Sequence, residues 1–164
     1  MNTKRIGILT HALTTNYGGI LQAFALQVAL KRMGHEVWTI DRTVKEIPGY
    51  IKLLSLLSRI YKRTICRKSI PIRGWTNTKE KKIISQHTDR FIKANMCLTE
   101  KISTRNGFSL LNKYSFDAYI VGSDQVWRPK YVPHIADYYF EFLKKNDNVS
   151  RIAYAASFGV DYWE

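Results

Sequence analysis

Apolar and polar positions divide this chain into short continuous apolar runs and longer segments of helical period. Ile6-Gly7-Ile8-Leu9 is too short for a buried helix and too continuous for a half-exposed strand, which suits the central strand of a parallel sheet covered on both faces. A polar turn with paired glycines follows, and then Ile20 to Met33, apolar almost all round: Ile20, Leu21, Phe24, Leu26, Val28, Leu30 and Met33. Such a helix is expected to be buried against the sheet. Lys31 and Arg32 put positive charge at its negative end, and Gly34 stops it. Val37 to Ile40 reads as a second strand ending at Asp41, and handedness makes the two strands parallel neighbours.

Further along, Tyr50 to Ile65 repeats at helical spacing, with Tyr50, Leu53, Leu54, Leu57 and Tyr61 on one face and Lys52, Arg59, Lys62 and Arg63 elsewhere. An amphipathic basic helix of this kind either lies in the headgroup plane of an anionic membrane or packs its stripe on the domain's own core. Pro71 and Gly74 mark a break over 69–75. Asn77 followed by Glu80 resembles a capping box opening a third helix to about Asn95, with Ile84, Thr88 and Phe91 facing inward and Ile83 and Ile92 beside them. Ser103 to Lys113 is a weaker helical segment. Phe116 to Val121 then runs as a strand into Gly122-Ser123-Asp124-Gln125-Val126-Trp127, and Arg151 to Ala156 runs as a last strand into Ser157-Phe158-Gly159. Three strand ends therefore carry small or polar residues, and in a parallel sheet all three open on one edge, where ligands of open α/β sheets bind. The pattern predicts an α/β, Rossmann-like three-layer domain with a mostly parallel sheet of at least four strands. It spans 1–164 and carries a basic helical insertion at about 42–95.

Composition narrows the function classes. The 164 residues carry a formal net charge of +13, and 12 of the 26 Lys and Arg lie between Arg42 and Lys82 against only Glu46 and Glu80. The charge is regional, which points to an anionic surface (a membrane leaflet, a nucleic acid or an acidic face of another subunit) or to a solvated basic insertion. The alternative to an enzyme is thus a non-catalytic module that docks on a membrane or a protein partner through this region. Nucleic acid is not expected as a partner, because the aromatics among those charges, Tyr50, Tyr61 and Trp75, are sparse. Cys66 and Cys97 have no metal-ligand spacing, so reduced thiols and no metal are expected. No secretory signal is evident, and no apolar run of about 18 residues that could span a bilayer, which predicts a cytoplasmic protein.

Asn16-Tyr17-Gly18-Gly19 can present backbone amides and the positive end of a helix dipole to a phosphate or carboxylate; the same residues also suit a plain N-cap with glycines for a tight turn. Asp124 is placed to accept a proton from a sugar hydroxyl, or to cap its own turn. Trp127 can stack on a sugar or fill the core. His11, just past the first strand, is the best-placed histidine for acid or base work, while His35 and His87 look structural.

Three blocks, THALTTNYGGILQAFALQVALKRMGHEVWTID, FDAYIVGSDQVWRPKY and RIAYAASFG, strongly resemble the amino-terminal half of the polysaccharide pyruvyl transferases, in the family's order, and GSDQVW is unusually specific. The resemblance implies a bacterial enzyme of surface polysaccharide biosynthesis. Such an enzyme moves the pyruvyl group of phosphoenolpyruvate onto two hydroxyls of a sugar or lipid-linked saccharide as a cyclic ketal, with phosphoenolpyruvate as co-substrate and no further cofactor. It implies half of a GT-B type architecture, two Rossmann-like domains across a cleft. Apart from the resemblance, the basic helical region allows peripheral contact of the cytoplasmic protein with the anionic inner face of the membrane. Asn16, Tyr17, Gly18, Gly19, Gln22, Gly122, Ser123, Asp124, Gln125 and Trp127 would line one wall. The family's second domain, with most of its donor-binding Arg and His, has no counterpart in these 164 residues, so they are expected to show no turnover by themselves and to leave an open groove at the Asn16–Gly19 loop.

Overall fold

The computed structural model describes residues 2–43, 49–65, 78–143 and 148–162. The elements in chain order are β1 (Arg5–Leu9), α1 (Tyr17–Arg32), β2 (Glu36–Thr39), α2 (Gly49–Thr64), α3 (Thr78–Asn95), β3 (Ala118–Asp124) and β4 (Ser150–Ala156), with 3₁₀ segments at Asn106–Tyr114, Pro129–Tyr131 and Ile135–Tyr139. The expected break at 69–75, Asn77 and Cys66 lie outside the described residues. The chain forms two compact units, Met1–Val44 with His87–Glu164, and Lys45–Gln86.

The first unit is a three-layer α/β domain. Its four strands are all parallel in the order β2-β1-β3-β4. Alternation along β1 explains how the layers are filled. Ile6 and Ile8 join Val37, Ala118 and Ile120 on the face covered by Leu26 and Leu30 of α1. Leu9 points to the other face, where Tyr119, Val121, Phe116, Phe108, Leu111, Tyr138 and Phe140 form the largest core cluster. Gly7 faces this second layer, and a Cβ there would lie 3.1 Å from the Phe116 ring, so a side chain would displace an aromatic that the layer is built on. The cover on this face is 3₁₀ and loop structure; the weaker helical segment expected over 103–113 is a 3₁₀ helix at Asn106–Tyr114.

Helix α1 differs from the expectation of burial all round. Gly19, Ile20, Ala23 and Gln27 are buried, whereas Leu21 and Met33 are more than half exposed. The buried row meets Ile92 and Met96, and Phe24 packs edge-to-face on Phe91 at 5.3 Å, so α1 lies between the sheet and the second half of α3. Gln27 is the polar residue in that row, and it is fully satisfied: its amide nitrogen donates to the Cys97 carbonyl at 2.7 Å and to Thr39 Oγ1 at 3.2 Å, and its oxygen accepts from Cys97 N–H at 2.9 Å. It pins the chain after α3 along β2, where Thr39 and Arg42 form parallel bridges with Leu98 and Ile102. That stretch closes the β2 edge of the sheet.

Arg42 corrects the picture of the basic tract. It is 4% exposed and belongs to the first unit, where its Nε and Nη2 both donate to Asp137 Oδ2 at 3.1 and 2.9 Å. The inward stripe expected for α3 holds for Thr88 and Ile92, which are buried, but Ile83 and Ile84 are exposed. In the second unit, the stripe Tyr50, Leu53, Leu54, Leu57 and Tyr61 of α2 is exposed throughout, and none of these residues belongs to a core cluster.

Candidate functional site

Because all four strands are parallel, the loops after β1, β3 and β4 leave the sheet at the same edge. Two hydrogen bonds, the first buried and the second partly so, hold the first of these loops. Tyr138 O–H donates to the Thr10 carbonyl at 3.2 Å, and Thr88 Oγ1 of α3 donates to the Thr14 carbonyl at 2.8 Å. Burial pushes the Tyr138 hydroxyl pKa far above its ordinary value, against a lowering influence from Arg42, so it remains a donor at any physiological pH. At the loop's end Asn16 caps α1, its Oδ1 accepting from Gly19 N–H at 3.2 Å and its carbonyl from Ile20 N–H at 3.0 Å. The N–H groups of Tyr17 and Gly18 in the first turn have no acceptor within the helix. Asn16, Tyr17 and Gly18 are exposed and Gly19 is buried.

The β3 loop meets that helix end through its carboxylate. Asp124 adopts φ of +110°, a conformation that a Cβ disfavours. Three bonds hold it: its Oδ1 accepts from Gln125 N–H at 2.8 Å, and its carbonyl accepts from Val126 and Ser157 N–H at 2.8 and 3.0 Å. The other carboxylate oxygen, Oδ2, lies 3.8 Å from where a Cβ on Gly19 would stand. One oxygen therefore serves the turn, while the other faces the positive end of α1. The expected turn-capping role is the one that Oδ1 fills. Gly122 is buried with φ of +127°, and a Cβ there would fall 1.9 Å from the Tyr154 carbonyl oxygen; only glycine lets β3 approach β4 at that register.

The β4 loop completes the edge. Trp127 N–H donates to the Ser157 carbonyl at 3.2 Å, and a Cβ on Gly159 would fall 2.2 Å from the Gln125 side chain. Gln125 Oε1 in turn accepts from Arg128 Nη1 at 3.4 Å. The Arg128 guanidinium lies 4.7 Å over the Tyr131 ring, and that ring meets His11 edge-on at 6.3 Å. His11 and Gln125 are thus joined through Arg128 and Tyr131, two residues that neither periodicity nor spacing had singled out. The readable signal was their place, immediately after GSDQVW.

Two candidates stand apart. Trp127 is half-buried, with its ring stacked on Tyr139 at 5.7 Å and its Nε1 donating to the Tyr138 carbonyl at 3.4 Å, so it packs as part of the large core. Gln22 is exposed one turn beyond Gly19. Ser123 is half-buried beside Asp124. Among the described residues no group of three or more His, Cys, Asp or Glu could hold a metal ion. Comparison of the chain with protein-family models, with curated proteins and with solved structures finds no match.

Proposed function

We propose that this chain is the amino-terminal, Rossmann-like half of a polysaccharide pyruvyl transferase. The observation that carries the proposal is the convergence of the three sequence blocks behind the resemblance. Asn16–Gly19, Gly122–Trp127 and Ser157–Gly159 are far apart in sequence, yet they form one continuous edge joined through Asp124 and Gln125.

The reaction joins phosphoenolpyruvate and a sugar diol into a ketal and inorganic phosphate. The enol methylene gains a proton, two sugar hydroxyls add to the central carbon, and the carbon–oxygen bond to phosphate breaks. It needs a group that accepts a hydroxyl proton and donors that hold the anionic donor substrate. Asp124 Oδ2 suits the first role, with its charge held next to the first turn of α1. The Tyr17 and Gly18 amides and the Arg128 guanidinium suit the second. Because Asp124 already places negative charge at the end of α1, a bound anion is assigned to the outer amides rather than to Gly19. His11, half-buried beside Tyr131, is the acid candidate for the methylene.

The test is ketal formation on a saccharide acceptor by the protein that contains this chain, followed by phosphate release and by mass spectrometry of the acceptor. Asp124→Asn should lower the rate by about a hundredfold or more with the fold retained. Unchanged pyruvylation by this variant would remove Asp124 from the chemistry.

A further inference from the structure

We infer that helix α2 docks the chain on an anionic phospholipid surface, lying in the headgroup plane with its apolar stripe inserted. Residues 50 and 61, 54 and 65, and 53, 57 and 60 fall within one arc of a helix that rises about 1.5 Å per residue. Tyr50, Leu53, Leu54, Leu57 and Tyr61 are all between 54 and 67% exposed, and Ile60 and Ile65 are exposed beside them. On the far side of the helix Ser55, Leu56 and Arg59 are half-buried, so the covered face is the more polar one and the apolar stripe is presented outward. A water-soluble surface rarely leaves so long an apolar row uncovered without a use for it.

Charge selects the occupant. The unit from residue 45 to residue 86 carries eleven Lys and Arg against Glu46 and Glu80, and Lys62 and Arg63 are exposed on the last turn of α2. An apolar stripe and concentrated positive charge on one short unit match a surface that is hydrocarbon below and negative above. Tyr50 and Tyr61, at the two ends of the stripe, place amphipathic rings at the headgroup level. A nucleic acid or an acidic protein would use the charge but would leave the leucines unexplained. Among the described residues no helix is long and apolar enough to cross a membrane, so contact through this helix would be in the interfacial plane. The inference stands independently of pyruvyl transfer.

Flotation of the whole chain with phosphatidylcholine vesicles, with and without phosphatidylglycerol, tests it. The chain should float with the anionic vesicles and not with the neutral ones, and added salt should weaken the binding. Leu54→Glu with Leu57→Glu, and separately Lys62→Glu with Arg63→Glu, should each lower partitioning by about tenfold or more. Leu53→Ser with Leu57→Ser, which adds no charge and alters only exposed positions, should weaken binding as well, with helix content checked by circular dichroism. Equal flotation on neutral vesicles, no flotation at all, or undiminished binding after both leucine pairs are replaced would overturn the inference. The last outcome would mean simple adsorption of a polycation, equally open to nucleic acid or an acidic protein.

Discussion

Asp124 Oδ2 faces Gly19 across the mouth of the sheet, 3.8 Å from the position of an absent Cβ. The same Cβ would stand 3.0 Å from Asn16 Nδ2, so a methyl group at 19 makes the exposed side chain that caps α1 give by a few tenths of an ångström. Gly19→Ala should therefore act on the site more than on the fold. The gain in helix propensity offsets the strained cap, so urea unfolding should change by no more than about 1 kcal/mol, and the pyruvyl transfer proposed above should fall by about tenfold or more. An unaffected rate would show that nothing reacts at this junction.

Gly122 tests the junction from the other side. With φ of +127° and a Cβ that would overlap the Tyr154 carbonyl, Gly122→Ala forces β3 and β4 apart. Destabilisation of about 3 kcal/mol is expected in chemical unfolding.

Arg42 and Asp137 form a buried ion pair, their side chains 4 and 1% exposed. Asp137 Oδ1 accepts no hydrogen bond from a described residue and has only Arg105 Nε at 3.4 Å and His134 Nδ1 at 3.8 Å nearby. Removing Arg42 leaves the buried Asp137 carboxylate with only the half-exposed Arg105 as a charged partner and none of the Arg42 hydrogen bonds. Arg42→Met should cost about 3–5 kcal/mol, and Arg42→Met with Asp137→Leu should cost clearly less than that single change. The comparison is made by urea unfolding of the three proteins.

Two carboxylates give opposite pH signatures. Burial raises the Asp41 pKa above its ordinary 3.8, with Lys101 pulling the other way. Its contribution to stability is complete below 3.8 and is lost as pH rises through the folded value. Asp41→Asn should therefore melt at neutral pH no lower than the parent and should flatten the fall of Tm above pH 3.8. Asp117 is lowered, first by the hydrogen bond from Arg5 N–H at 2.7 Å, with burial opposing and Lys4 and Arg5 adding attraction. Its contribution is complete above 3.8 and is lost as pH falls through the lower folded value, so Asp117→Asn should lessen the loss of Tm on acidification. Thermal melts across pH 2 to 7 check both.

Tyr138→Phe removes the bond to the Thr10 carbonyl and nothing else from a fully buried ring. A loss of about 1 kcal/mol is expected, together with weaker positioning of the His11 loop. A melt and a substrate-binding titration distinguish the two effects.

Local pattern was enough to read the four strands, α1, the third helix and the edge on which the loops gather. Each of these is written in a period of two or of 3.6 residues and in the glycines that end it. The hydrophobic row of α1 did not reveal that Gln27 would be buried, because its three hydrogen bonds go to Thr39 and to Cys97, 70 positions away. Composition placed Arg42 in a basic tract, and only the approach of Asp137, 95 residues later, made it a core residue. In the same way GSDQVW identified Asp124 as a candidate, while the division of labour between its two oxygens depends on Gln125 and on an α1 terminus that meets it only in the folded sheet. Amphipathicity along α2 was plain in the sequence; which of its faces is covered was not, because a stripe states what can be buried and only packing decides what is. Periodicity is a property of neighbours along the chain, and the sequence settled what depends on it. Pairing of polar and charged groups depends on partners far apart in the chain, and that the tertiary structure alone decided.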